Sequence, residues 1–141
     1  MLIHEYRWEQ LQLGTSAQFE VVLTSEMMAA FAALSGDRNP LHMDDGFAKN
    51  AGYTDCVVFG MLTASFYSTL VGMYLPGKYA LLHGVEAYFH APSYVGDTLM
   101  VSGAVSFLNE AYRRLELKAK IVNQNGVLIS KAKIRVGLHE S

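Results

Sequence analysis

"VVFGMLTASFYSTLVGMYLPG", Val57 to Gly77, holds a long apolar run in which the polar side chains are Thr63, Ser65, Ser68 and Thr69. The β-branched and apolar residues from Cys56 to Val58 read as a strand. From Gly60 to about Tyr74 the run is too long for an ordinary strand and favours a helix. With apolar residues on nearly every face, that helix is expected to be buried along most of its surface. Leu75-Pro76-Gly77 ends it.

Downstream, the texture is that of strands: "YALLHGVEAYFH", "TLMVSGAVSFLN", "AYRRLELKAKIV" and "GVLISKAKIRVGL". Pro92 with Gly96-Asp97, then Asn109-Glu110, then Asn125-Gly126 separate them, and Asn-Gly is a strong hairpin signal. Leu115, Leu117, Ala119 and Ile121 alternate with Glu116, Lys118 and Lys120, which gives that strand one wet face. The expectation is an antiparallel meander of four strands wrapped on one buried helix, an α+β fold. Upstream, "AQFEVVL" (Ala17 to Leu23) alternates as a strand. Thr24 or Ser25 caps a helix carrying Met27, Met28, Phe31 and Leu34, which stops at Ser35-Gly36. Asp44-Asp45 caps a second, short helix closed by Gly52, so "DRNPLH" reads as a loop between helices.

The 141 residues suit a single domain, 1–141, with a real core. Half the chain is apolar and the formal charge is −2, with no basic stripe, so no nucleic-acid or membrane partner is expected. The amino-terminal residues carry His4, Glu5, Arg7 and Glu9 where a signal peptide is apolar, which points to the cytoplasm. The single cysteine, Cys56, permits no intrachain disulfide and no cysteine cluster for zinc. Few charges on so small a domain leave apolar surface to hide, which favours an oligomer.

Two polar groups stand out. Asp37 and His42 lie five positions apart in "SGDRNPLH", in a loop held by Gly36, Asn39 and Pro40, and can be aimed into one cavity as a general acid/base pair. Gly60, where the chain enters the buried helix, lets a ligand approach the backbone, and free N–H groups at a helix start stabilise an oxyanion or enolate. Spacing alone leaves plainer roles open: a turn aspartate, a satisfied loop histidine and a packing glycine. Met27, Met28, Met61 and Met73 read as core, Ser65 and Ser68 as hydroxyls bonded back to their helix, and His83 and His90 as structural or exposed.

Taken together, "SGDRNPLHMDDGFAKNAGY", "VVFGMLTASFYSTLVGMYLPG" and "FHAPSYVGDTL" resemble the MaoC-like dehydratases, and within them the single-domain (R)-specific enoyl-CoA hydratases. The resemblance implies a hot-dog fold, an antiparallel sheet wrapped around a long central helix, and pairing as a homodimer or higher homo-oligomer with the site near the interface. It implies Asp37 and His42 as the catalytic pair, the Gly60 N–H as oxyanion donor, and Asn39 and Ser68 in support. Tyr53, Phe59, Met61 and Leu62 are placed at the substrate pocket. The implied reaction is syn addition of water to a trans-2-enoyl thioester of coenzyme A or acyl-carrier protein, or its reverse. No metal or redox cofactor is expected, since coenzyme A or phosphopantetheine enters as part of the substrate. Where the family reads His-Gly-Met-Leu, this chain reads Phe59-Gly60-Met61-Leu62. A hot-dog thioesterase and a non-catalytic acyl-thioester binding subunit are the competing readings, the latter motivated by Phe59.

Overall fold

The computed structural model describes Leu2 to His139. Strand β1 (Ser16–Val22) leads into helix α1 (Ser25–Ser35), which Thr24 caps by accepting from the Met27 N–H. Gly36, with φ of 77°, closes α1 in the left-handed conformation that glycine adopts without strain. Two short helices follow, α2 (Pro40–Met43) and α3 (Asp45–Asn50), capped by the side chains of Asn39 and Asp44. Helix α4 (Gly60–Thr69) comes next, then strands β2 (Ala80–Phe89), β3 (Thr98–Asn109), β4 (Arg114–Val122) and β5 (Leu128–Leu138).

All five strands join one antiparallel sheet in the order β1-β3-β4-β5-β2. Its inner face carries Leu99, Val101, Leu115, Leu117, Ile121, Ile134 and Val136, none more than 1% exposed, and these pack with Tyr67, Leu70 and Val71 into one core. Gly103 lets the sheet come close to the end of the helix, because a Cβ there would lie 2.9 Å from the Leu70 side chain. This sheet wrapped on a central helix is the hot-dog fold.

Four local expectations need correction. The Pro40 to Met43 segment is a helical turn and not loop: Pro40 sits at its first position, where the missing N–H costs nothing. Cys56 to Val58 makes no strand, because its backbone bonds go to two different segments, Val57 N–H to Leu41 and Val58 N–H to Ser93. The central helix is regular only to Thr69, after which Leu70–Tyr74 widens into a π-helical turn with Leu75 N–H reaching back to the Leu70 carbonyl. The strands are not a simple meander either. β3, β4 and β5 are consecutive neighbours, whereas β2 pairs with β5 at the far edge.

Candidate active site

The loop after α1 is zipped by its own side chains. Ser35 Oγ accepts from the Asp37 N–H, Asp37 Oδ1 from the Asn39 N–H and Asn39 Oδ1 from the Leu41 N–H, at 3.0 to 3.1 Å. Serine, aspartate and asparagine suit such reciprocal turns because a short polar side chain mimics a backbone carbonyl. The turn is then tied to the segment entering α4 twice. Val57 N–H donates to the Leu41 carbonyl, and His42 Nδ1 lies 2.6 Å from the Val57 carbonyl oxygen. A carbonyl only accepts, so Nδ1 carries the proton and Nε2 of the neutral ring is left as an acceptor.

Beneath the imidazole lies Phe59, 1% exposed, its ring centroid 4.3 Å from that of His42 and inclined by 30°. Phe59 also packs on Phe31 of α1, 4.8 Å between centroids. Immediately after it α4 begins. No side chain caps that end; the Phe59 carbonyl takes Leu62 N–H and Thr63 N–H, and Thr63 Oγ1 donates to the Gly60 carbonyl. Gly60 N–H finds no acceptor among the described residues. A Cβ on Gly60 would sit 3.4 Å from the Phe89 ring, so any side chain there narrows the approach to that N–H.

These groups border a cleft of about 400 Å³, lined by His42, Tyr53, Val57, Val58, Gly60, Thr63, Phe89, His90, Ala91, Pro92, Ser93 and Ile129. His42, Gly60 and Tyr53, three of the residues singled out in the sequence, line this cleft together. The others lie elsewhere. Asp37 and Asn39 are exposed, and neither lines the cleft of this chain; Asp37 turns one carboxylate oxygen back to the Asn39 N–H. Phe59 and Leu62 belong to the core and do not line the cleft. Met61, read both as core and as pocket, is 66% exposed on α4. Ser68 is exposed eight residues beyond Gly60, about 12 Å along the helix axis, also outside the cleft. Ser65 does bond back to its helix, donating to the Leu62 carbonyl. Cys56 donates to Asp45 Oδ1, and burial together with that carboxylate pushes its thiol up to about 11, so it is a poor nucleophile near neutrality.

Phe89, His90, Ser93, Thr63 and Ile129 were not foreseen at the cleft. Phe89, His90, Pro92 and Ser93 all belong to the motif "FHAPSYVGDTL", but nothing in the spacing ties Ser93 or Ile129 to His42, since strand pairing and the Val58–Ser93 bond bring them there. A larger hollow, about 780 Å³, lies on the outer face of the sheet beside Lys118, Lys120, Lys131 and Lys133, and neither His42 nor Gly60 lines it.

Comparison with known proteins gives this geometry a chemical context. Residues 10–125 match the family described as the MaoC like domain. An (R)-specific enoyl-CoA hydratase of Aeromonas caviae is 38% identical over 120 residues, covering 85% of this chain and 90% of that protein. A mitochondrial 3-hydroxyacyl-[acyl-carrier-protein] dehydratase, FERN, of Solanum lycopersicum is 29% identical over 121 residues, covering 84% of this chain and 72% of its own. The solved structure of an (R)-hydratase from A. caviae involved in PHA biosynthesis superposes with a TM-score of 0.89 at 36% identity, over 93% of this chain and 99% of that one.

Proposed function

From the premise that this chain belongs to the MaoC-like domain family and is a hydro-lyase of the enoyl-CoA hydratase and 3-hydroxyacyl dehydratase class, we propose that it interconverts a trans-2-enoyl thioester and the (R)-3-hydroxyacyl thioester by syn addition or removal of water. One observation carries the reading: the bond from His42 Nδ1 to the Val57 carbonyl leaves Nε2 as the open nitrogen in a cleft that also presents the Gly60 N–H. A base and an oxyanion donor in one cleft are what conjugate addition to a thioester requires.

In the hydration direction His42 Nε2 holds the water in the cleft, and Asp37, which does not line the cleft of the single chain, is assigned the second hold on it by the family motif alone. As its oxygen bonds to C3, one of the pair takes its proton, and a proton is returned to C2 as the enolate collapses. Charge gathers meanwhile on the thioester oxygen, where the Gly60 N–H and the positive end of α4 stabilise it more than they stabilise the neutral substrate. Asn39, which caps α2 and sets the turn between Asp37 and His42, orients the pair. No metal or redox group enters the scheme. The carrier is coenzyme A or acyl-carrier protein, whose pantetheine arms are chemically alike.

The test follows loss of the enoyl-thioester absorbance with crotonyl-CoA. Wild type is expected to consume it, with Asp37→Asn and His42→Ala slower by about a hundredfold or more. Wild-type rates in both variants overturn the assignment of the pair. Release of free thiol by the wild type points instead to a thioesterase, and tight binding of crotonyl-CoA without turnover to a binding subunit.

A further inference from the structure

Ser93 is a buried polar residue that this scheme leaves unused. It borders the cleft and is 3% exposed, and its Oγ is the one buried side-chain nitrogen or oxygen without a hydrogen-bond partner among the described residues. Elsewhere the protein pairs its buried hydroxyls: Thr63 donates to the Gly60 carbonyl at 2.6 Å, and Tyr67, whose phenol burial pushes upward, donates to Ser130 at 2.9 Å. A hydroxyl stripped of water and left unmatched is unfavourable, so an exception at the edge of a ligand cleft calls for a ligand.

Its position is fixed by the backbone. The Ser93 carbonyl accepts from the Val58 N–H at 2.8 Å, the neighbouring Val57 carbonyl holds His42, and Gly60 follows two residues later. Ser93, His42 and Gly60 are therefore all anchored on residues 57–60, beside the amino-terminal end of α4. An unsubstituted enoyl group offers one acceptor oxygen, that of the thioester carbonyl, which is also the atom directed at Gly60.

We propose that the Ser93 hydroxyl is a second hydrogen-bond donor to the thioester oxygen, acting beside the Gly60 N–H. The inference rests on the hydratase reading. Ser93 gives up no proton; it donates one hydrogen bond that strengthens as the enolate forms, so its effect falls on kcat more than on KM.

The experiment measures crotonyl-CoA hydration and Tm for wild type, Ser93→Ala and Ser93→Thr, with His42→Ala as control. Ser93→Ala is expected to lower kcat about ten- to a hundredfold with KM within about threefold of wild type and Tm unchanged or higher, because no protein hydrogen bond is lost. Ser93→Thr, which keeps the hydroxyl, is expected to recover part of the rate. Unchanged kcat in Ser93→Ala overturns the proposal alone, as does a rise in KM without loss of kcat, or a fall in Tm showing that the hydroxyl is a structural bond. If Ser93→Ala fails to fold, a Ser93→Cys variant with wild-type kcat and KM overturns it equally. A wild type that is inert to enoyl thioesters removes the hydratase reading and this proposal with it.

Discussion

Phe59 shows how a single residue changes meaning between sequence and structure. The motif placed it at the pocket; it is instead a buried slab between His42 and Phe31, directly before the Gly60 N–H. With the Nδ1 bond to the Val57 carbonyl on one edge and the phenyl ring on one face, the imidazole has little freedom to turn. Leucine at this position fills similar space but offers no flat surface, so Phe59→Leu is expected to lower kcat about ten- to a hundredfold, the scale of a small misplacement of a reacting group, with KM little changed. Phe59→His keeps a flat ring against His42 and is expected to retain more activity. It buries new ring nitrogens, however, and is expected to lower Tm. Steady-state kinetics beside thermal melts separate the two effects.

Among the elements, β4 and β5 carry the clearest conflict. Their inner positions alternate apolar residues against the helix, and the same pleat sets Lys118 opposite Lys133 and Lys120 opposite Lys131 on the outer face. Lys133 is relieved in part by Glu116, 3.7 Å away. Like charges directly across a strand pair repel, so Lys131→Glu is expected to stabilise the fold by about 0.2–1 kcal/mol. The gain should shrink in high salt, which screens exposed charges. Denaturation at low and high ionic strength measures both the sign and the screening. The pattern that fixes which face is buried thus also gathers four lysines that the chain order keeps apart.

For the whole molecule, the edge formed by β2 matters most. β2 pairs with β5 on one side only, and Leu81, Leu82, Val85, Tyr88 and Phe89 along it are 41–64% exposed. An edge strand with this much apolar surface invites pairing with a second copy. The carboxyl end of β2 also supplies Phe89 to the cleft, and Asp37 stands exposed beyond that cleft in the single chain. Wild type is expected to sediment at twice the chain mass or more. Val85→Lys is expected to shift it toward monomer and to lower hydration along with assembly. A wild-type monomer with full activity overturns this expectation. Among the described residues no helix is long and apolar enough to cross a membrane.

Several local features were legible because a few neighbouring residues decide them. Thr24 and Asp44 cap their helices, Gly36 ends α1 and the turn around Asn125-Gly126 reverses the chain, each through bonds spanning no more than five residues. Alternation in β4 announced its buried face for the same reason, since strand geometry repeats every second residue. The candidate chemistry of His42 and Gly60 was visible as residue types in a motif. What the residues do to one another was not. Val57 and Val58 have strand propensity yet form no strand, because Leu41 and Ser93 compete for their N–H groups from separate segments. β2 lies beside β5 and not β3, and Phe59 packs under His42 while Asp37 is absent from the cleft lining. The sequence by itself determined the caps, the alternation and the family motif, all products of short-range geometry. Only the tertiary structure decided strand order, the core position of Phe59 and the unpaired hydroxyl of Ser93 beside the cleft, because these follow from packing and hydrogen-bond competition between distant segments.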